Sequence, residues 1–130
     1  MLLKILLDNK TEIEYNNFGK PFLINHKEKI SISHSSGWVA VLISEEDSGI
    51  DIENKERNIE NVSNRFLHEN ELEFIQQNKD ADKTKLIYWC AKEAIFKCTR
   101  EHGILFNKQI LISPFSFTEG GSFDGILSLK

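Results

Sequence analysis

The stretch Trp89-Cys90-Ala91-Lys92-Glu93-Ala94-Ile95-Phe96-Lys97 constrains this chain most, because it lies inside a helical pattern that begins near Asp82 and runs to about Glu101. Asp80 or Asp82 can cap the start of that helix, and Gly103 stands where a left-handed stop belongs. Leu86, Trp89, Cys90, Glu93 and Lys97 recur at three- and four-residue spacing, so they share one side. Ile87, Ala94 and Cys98 widen the apolar surface beside it. Glu93 and Lys97 therefore emerge one turn apart, at the edge of a stripe expected to face the core. Taken alone, a Glu–Lys pair at i,i+4 is ordinary: most are solvated and stabilise a helix by about 0.2–0.5 kcal/mol. Lys92 points from a different face, towards solvent or a bound polyanion.

Strand patterns flank the helix on both sides. Residues 2–7 read as a first strand and residues 11–15 as a weak second one. Asn16-Asn17-Phe18-Gly19-Lys20-Pro21 is a loop by composition, with residues 22–24 after it. Ile30-Ser31-Ile32-Ser33 alternates as a half-buried strand does, and His34-Ser35-Ser36-Gly37 signals a turn. The nearly unbroken apolar run Trp38-Val39-Ala40-Val41-Leu42-Ile43 reads as a central strand. Gly49-Ile50-Asp51-Ile52-Glu53 alternates again, so the three together predict an antiparallel meander. Ile59, Val62, Phe66 and Leu67 suggest one helix; Leu72, Phe74 and Ile75 suggest another from near Glu69. After Gly103, strands are expected at residues 109–112, 115–117 and 126–129. Strands, helices, strands in that order predict an α+β fold, a mostly antiparallel sheet packed on a long helix.

The 130 residues suit one domain, residues 1–130, with one core. A hydrophobic content of 40% and a charged content of 28% match an ordinary soluble protein. The net charge of −4 argues against a nucleic-acid partner. No apolar run is long enough for a membrane span, and residues 1–7 are too short for a signal peptide. Cys90 and Cys98 lie about 12 Å apart along one helix, too far for a disulfide, so a cytoplasmic home is the expectation.

Asp51 and Glu53, two apart on a strand, put both carboxylates on one face and leave Ile50 and Ile52 for the core. Two such carboxylates repel unless a cation or proton lies between them, although most are solvated sheet faces. With Glu93 as a third oxygen donor, the set suits Mg²⁺ and leaves room for phosphate oxygens. Zinc is discounted: Cys98 and His102 are at i,i+4, but no CxxC spacing exists. His34, among Ser33, Ser35 and Ser36 at a strand end, can grip an anion or can be an idle turn histidine. Lys20, between Gly19 and Pro21, is by itself an ordinary surface lysine. No acyl-hydrolase elbow, Walker A or GxGxxG occurs.

Gly19-Lys20-Pro21, Ile32-Ser33-His34-Ser35, Gly49-Ile50-Asp51-Ile52-Glu53, Arg65-Phe66-Leu67 with Glu71, and Trp89-x-x-Lys92-Glu93-Ala94-x-x-Lys97 follow one another along the chain. Each is weak alone. As an ordered set they resemble the 4'-phosphopantetheinyl transferases of the surfactin-synthetase-activating type. The resemblance implies transfer of the phosphopantetheine arm of coenzyme A, the donor substrate, to a serine of an apo acyl or peptidyl carrier protein, releasing adenosine 3',5'-bisphosphate. It implies Mg²⁺ held by Asp51, Glu53 and Glu93, with Glu93 also as the base and Lys97 on the leaving phosphate. His34 is expected at the 3'-phosphate, and Lys20, Ser33 and Lys92 at further phosphates. Arg65, Phe66 and Glu71 are expected to serve structure. Members of this type are longer, with two similar halves, so the chain reads as a short or truncated member lacking most of the first half. A homo-oligomer is favoured to cover the exposed edge. The alternative is a non-catalytic module of the same fold that binds a carrier protein; a Mg²⁺-dependent phosphoesterase ranks third.

Overall fold

A computed structural model describes Leu7 and residues 10–129. The expected strand at residues 2–7 lies outside the described residues, apart from Leu7. Three antiparallel pairs carry the β structure. Strand β1 (Ile13–Tyr15) pairs with β2 (Pro21–Leu23), β3 (Lys29–Ser35) with β4 (Trp38–Ser44), and β5 (Ile110–Ile112) with β6 (Gly125–Leu127). The helices are α1 (Ser63–Phe66), α2 (Glu69–Gln76), α3 (Ala81–Cys98) and α4 (Phe106–Gln109), with a 3-10 turn at Glu60–Val62 before α1. The class is α+β, as expected. No strand forms at residues 115–117.

The β3–β4 hairpin closes in two residues, because Ser35 pairs with Trp38. Ser36 and Gly37 both take positive φ, 49° and 83°, the backbone of a type I′ turn that matches strand twist. Helix α3 begins as the sequence predicts: the Asp80 side chain accepts from Lys83 N at 3.0 Å. It ends earlier than predicted, at Cys98. Thr99 is already extended, and its hydroxyl accepts from Glu101 N, so the chain turns away before Gly103 is reached.

The main core gathers Ile59, Phe66, Leu67, Ile75, Leu86, Tyr88, Ile110 and Ile112, between helices α1–α3 and β5. A smaller cluster, Leu23 and Ile30, lies under the first two hairpins. Helix α3 faces two ways. Thr84, Tyr88 and Lys92, one turn apart, form its buried inner stripe, while Trp89, Glu93 and Lys97 lie on a neighbouring face. The stripe read from sequence is thus only the flank of the buried face. Tyr88 is fully buried, but its hydroxyl has no hydrogen-bond partner among the described residues. Burial first, then the Glu71 charge, pushes its pKa from 10.0 up to about 12. A raised folded-state pKa gives stability that is whole below pH 10 and is lost as the pH climbs towards 12, because the unfolded chain releases its proton first. Tyr88→Phe is therefore expected to equal the parent at neutral pH, or exceed it by about 1 kcal/mol. Its advantage should grow above pH 10; denaturant titrations at both pH values check this.

Candidate active site

Residues 49–54 run beside β3 without joining its ladder, which corrects the predicted three-stranded meander. The reason lies in three serines. Ser31, Ser33 and Ser35 repeat at period two on one face of β3. Their Oγ atoms accept from the backbone N–H groups of Ile50 (3.0 Å), Ile52 (3.1 Å) and Asn54 (3.2 Å). A side chain therefore stands where a carbonyl would complete a ladder, and the segment sits farther out. Its other side is pressed on α3: a Cβ at Gly49 would overlap the Ala94 carbonyl and the Cys98 amide nitrogen. Gly49→Ala is accordingly expected to cost stability at or above the upper end of the roughly 1–3 kcal/mol typical of overpacking, because backbone cannot yield as a side chain can. Thermal and denaturant unfolding would measure it.

Between these two supports the carboxylates turn inward, with Asp51 and Glu53 side chains only 6% and 10% exposed. Ile50 and Ile52 are half-buried, short of the full burial that their predicted core facing implies. Asp51 Oδ1 accepts from Ser33 Oγ at 3.1 Å and from Lys97 Nζ at 2.8 Å. Lys97 Nζ also donates to the Ile50 carbonyl at 3.1 Å. Glu53 Oε1 accepts from Trp89 Nε1 at 2.9 Å and from Arg57. The half-buried Glu93 side chain makes no hydrogen bond to the described residues. Burial pushes its carboxyl above the ordinary range; the Asp51 charge adds to this, and Lys97 opposes it. The Cys90 thiol is pushed up to about 12, again by burial first and then by Asp51 and Glu53.

Glu93 and Lys97 open into a cleft of about 260 Å³ that also exposes Lys20, Arg100 and Phe96. Phe18 and His102 stack on its lining at 4.1 Å between ring centroids. Lys20 Nζ donates to the Thr99 carbonyl at 2.7 Å, and burial lowers its pKa. Lys20, Lys97 and Arg100 outnumber Glu93 and Glu101 on the lining of this cleft, a balance that favours an anionic occupant.

The structure thus brings Lys20, Glu93 and Lys97 to one cleft and ties Asp51 to it through Lys97. His34 is exposed and shares its β3 face with the cleft-lining Ile30 and Ile32, without itself lining the cleft. Two expectations need correction. Lys92 does not face solvent or a polyanion: it is fully buried, and its three N–H bonds go to Glu71 Oε2 (2.6 Å), the Phe66 carbonyl (2.6 Å) and the Phe106 carbonyl (3.0 Å). An ammonium has three donors, so none remains for a phosphate. Ser33 is only 5% exposed and spends its hydroxyl on Ile52 and Asp51. The roles of Arg57, Phe18, His102 and Arg100 went unread in the sequence. The matching periods of the serines and of residues 50–54 were the one available hint of the serine contacts.

Mg²⁺ is the cation that this donor set suits in type. All three candidate ligands offer carboxylate oxygen, the type that a hard cation takes. Asp51 Oδ2 is buried with no hydrogen-bond partner, which is costly for a carboxylate unless a cation or proton meets it. The chemistry fits. The full set is not gathered, however: among the described residues no three His, Cys, Asp or Glu side chains come together as a metal site. Glu53 is turned to Arg57 and Trp89, and Asp51 Oδ1 to Lys97.

Comparison with known proteins gives concordant matches. The family model described as the 4'-phosphopantetheinyl transferase superfamily matches residues 47–122. A Haemophilus influenzae protein, named provisionally as a 4'-phosphopantetheinyl transferase, is 31% identical over 93 residues, covering 67% of this chain and 40% of its own length. The 4'-phosphopantetheinyl transferase gsp of Aneurinibacillus migulanus is 33% identical over 84 residues, covering 63% of this chain and 35% of its own. The alignments therefore cover well under half of those two relatives. Among the described residues, no helix is long and apolar enough to cross a membrane.

Proposed function

The chain belongs to the 4'-phosphopantetheinyl transferase superfamily, whose model matches more than half of it, and we propose that it moves the phosphopantetheine arm of coenzyme A to a serine of an apo acyl or peptidyl carrier protein. In that reaction the serine oxygen forms a bond to the β-phosphorus, the pyrophosphate bridge breaks, and adenosine 3',5'-bisphosphate leaves. The observation that carries the reading is Glu93: a half-buried carboxylate without a hydrogen bond, beside Asp51 and Lys97, on a cationic cleft. Glu93 is the base that takes the serine proton. Lys97, one turn along α3, meets the charge that develops on the leaving phosphate in this reading. Lys20 and Arg100 bind and orient the donor phosphates, with His34 at the 3'-phosphate. Asp51, Glu53 and Glu93 would hold Mg²⁺, which supplies charge stabilisation to the pyrophosphate.

Calorimetric titration of coenzyme A into the purified protein, with and without Mg²⁺, tests this before any carrier is known. Binding that needs Mg²⁺ and is lost in Glu53→Ala is the expected result. Absence of binding under both conditions would overturn the reading. A second reading rests on the extent of the match, 40% and 35% of the two relatives. A chain of that span can bind a carrier protein and transfer nothing. In that case Glu93→Gln would leave carrier binding intact, and mass spectrometry would detect no modified carrier with either protein.

A further inference from the structure

Ser33 is the middle of three serines that hold residues 50–54 against β3, and it differs from the other two. Ser31 Oγ and Ser35 Oγ each accept from a backbone N–H of that segment. Ser33 Oγ also accepts one, from Ile52 N, and in addition its hydroxyl donates to Asp51 Oδ1 at 3.1 Å. The donor and one lone pair of a single hydroxyl are thus both in use, joining the backbone and the side chain of adjacent residues. Lys97 Nζ meets the same oxygen at 2.8 Å. The result is a carboxylate with one oxygen fixed twice and the other, Oδ2, buried and unpartnered. Tilting the Asp51 carboxyl out of this orientation would break both bonds, so the pair fixes the direction in which the remaining oxygen points.

We infer that Ser33 is a positioning residue: it fixes the orientation of the Asp51 carboxylate, so that the oxygen not held by Ser33 and Lys97 is the one a divalent cation would meet. The inference rests on the metal-site reading given above, but its geometry stands apart from it. Lys97 has other work at the leaving phosphate, and a cation or substrate that draws it away would leave Ser33 as the remaining tether of Oδ1. The serine replaces the backbone ladder with a contact that reaches the carboxylate, which a carbonyl acceptor has no proton to do. It also accounts for a hydroxyl that, at 5% exposure, has no access to a phosphate.

Two measurements test this on the whole chain. The first needs no metal: a double-mutant cycle on stability between Ser33→Ala and Asp51→Asn, run beside a control cycle between Ser31→Ala and Asp51→Asn. The expected result is a coupling of about 10-fold in the unfolding equilibrium constant for the first cycle, the scale of a hydrogen bond to a charged group, and none for the second. The second measurement is Mn²⁺ affinity by calorimetry or electron spin resonance. Ser33→Ala is expected to weaken it about 10- to 100-fold, the usual size of a lost support behind a metal ligand. Ser31→Ala, which loses a backbone bond alone, should change it little, and Ser33→Thr, which keeps the hydroxyl, should restore most of it. Equal coupling in the two cycles would overturn the inference, as would equal Mn²⁺ losses in Ser31→Ala and Ser33→Ala. If the parent protein binds no Mn²⁺, the metal reading fails by itself, and the stability cycles still decide whether Ser33 holds Asp51.

Discussion

Glu93→Gln is expected to lower phosphopantetheine transfer by about 10²–10⁴-fold, the range supplied by a positioned general base. The substitution keeps the shape and removes the proton acceptor, and with it one candidate Mg²⁺ ligand. Carrier modification followed by mass spectrometry gives the rate. The same variant should be more stable than the parent at neutral pH in chelator. Burial, then the Asp51 charge, raises the Glu93 pKa in the folded protein above its ordinary 4.5. A raised pKa gives stability that is full below 4.5 and is lost as the pH rises through the folded value, because the ionised form is disfavoured inside. Glutamine never ionises, so the variant escapes that loss, and the two proteins should converge below pH 4.5. Lower activity together with higher stability is the signature of a group held in its place for chemistry. Lower activity with lower stability would instead make Glu93 a structural residue.

The sequence was most legible where local chemistry decides the outcome. The Asp80 cap, the β3–β4 hairpin and the Glu69 start of α2 depend on neighbours close in the chain, and each lies within a residue or two of expectation. Residues 49–53 were misread because their period-two pattern is real while their partner is not a strand's backbone. The hydrogen bonds go to serine hydroxyls, and alternation carries no record of which acceptor is used. An open sheet face would leave the two carboxylates solvated, whereas here Lys97 and Ser33 hold Asp51 Oδ1, and Trp89 and Arg57 hold Glu53, in a nearly closed space. Helix α3 shows the same limit. Its periodicity picks out the stripe of Leu86, Trp89 and Cys90, whereas the buried face beside it carries Lys92 at 0% exposure. No hydropathy pattern places a lysine inside; only its partner does, and Glu71 lies 21 residues away on another helix. Glu93 and Lys97 were legible because one helical turn fixes their spacing.

Lys92→Met should produce the largest loss of stability in this chain, about 3–5 kcal/mol, the cost of leaving a buried ion unpaired. Glu71 is the ion left behind. Its Oε2 accepts from Lys92 Nζ and from His68 N, and its Oε1 from Ile112 N at 2.8 Å. One carboxylate thus joins the start of α2, the middle of α3 and the end of β5. Removing the ammonium also strands the carbonyls of Phe66 and Phe106. Burial lowers the Lys92 pKa, with Glu71 resisting that shift, so desolvation consumes part of what the pair contributes. This makes the double variant informative. Replacing both partners, Lys92→Met with Glu71→Leu, removes the stranded charge. It should recover much of the stability lost in Lys92→Met, although the Ile112 and His68 amides lose their acceptor. Chemical denaturation of the two single variants and the double gives the coupling directly. Coenzyme A binding by the double variant then separates the two roles of this lysine. Binding retained in a folded double variant means that Lys92 acts on the core alone. Binding lost there, with α3 intact by circular dichroism, would return Lys92 to the phosphate site that the sequence first proposed.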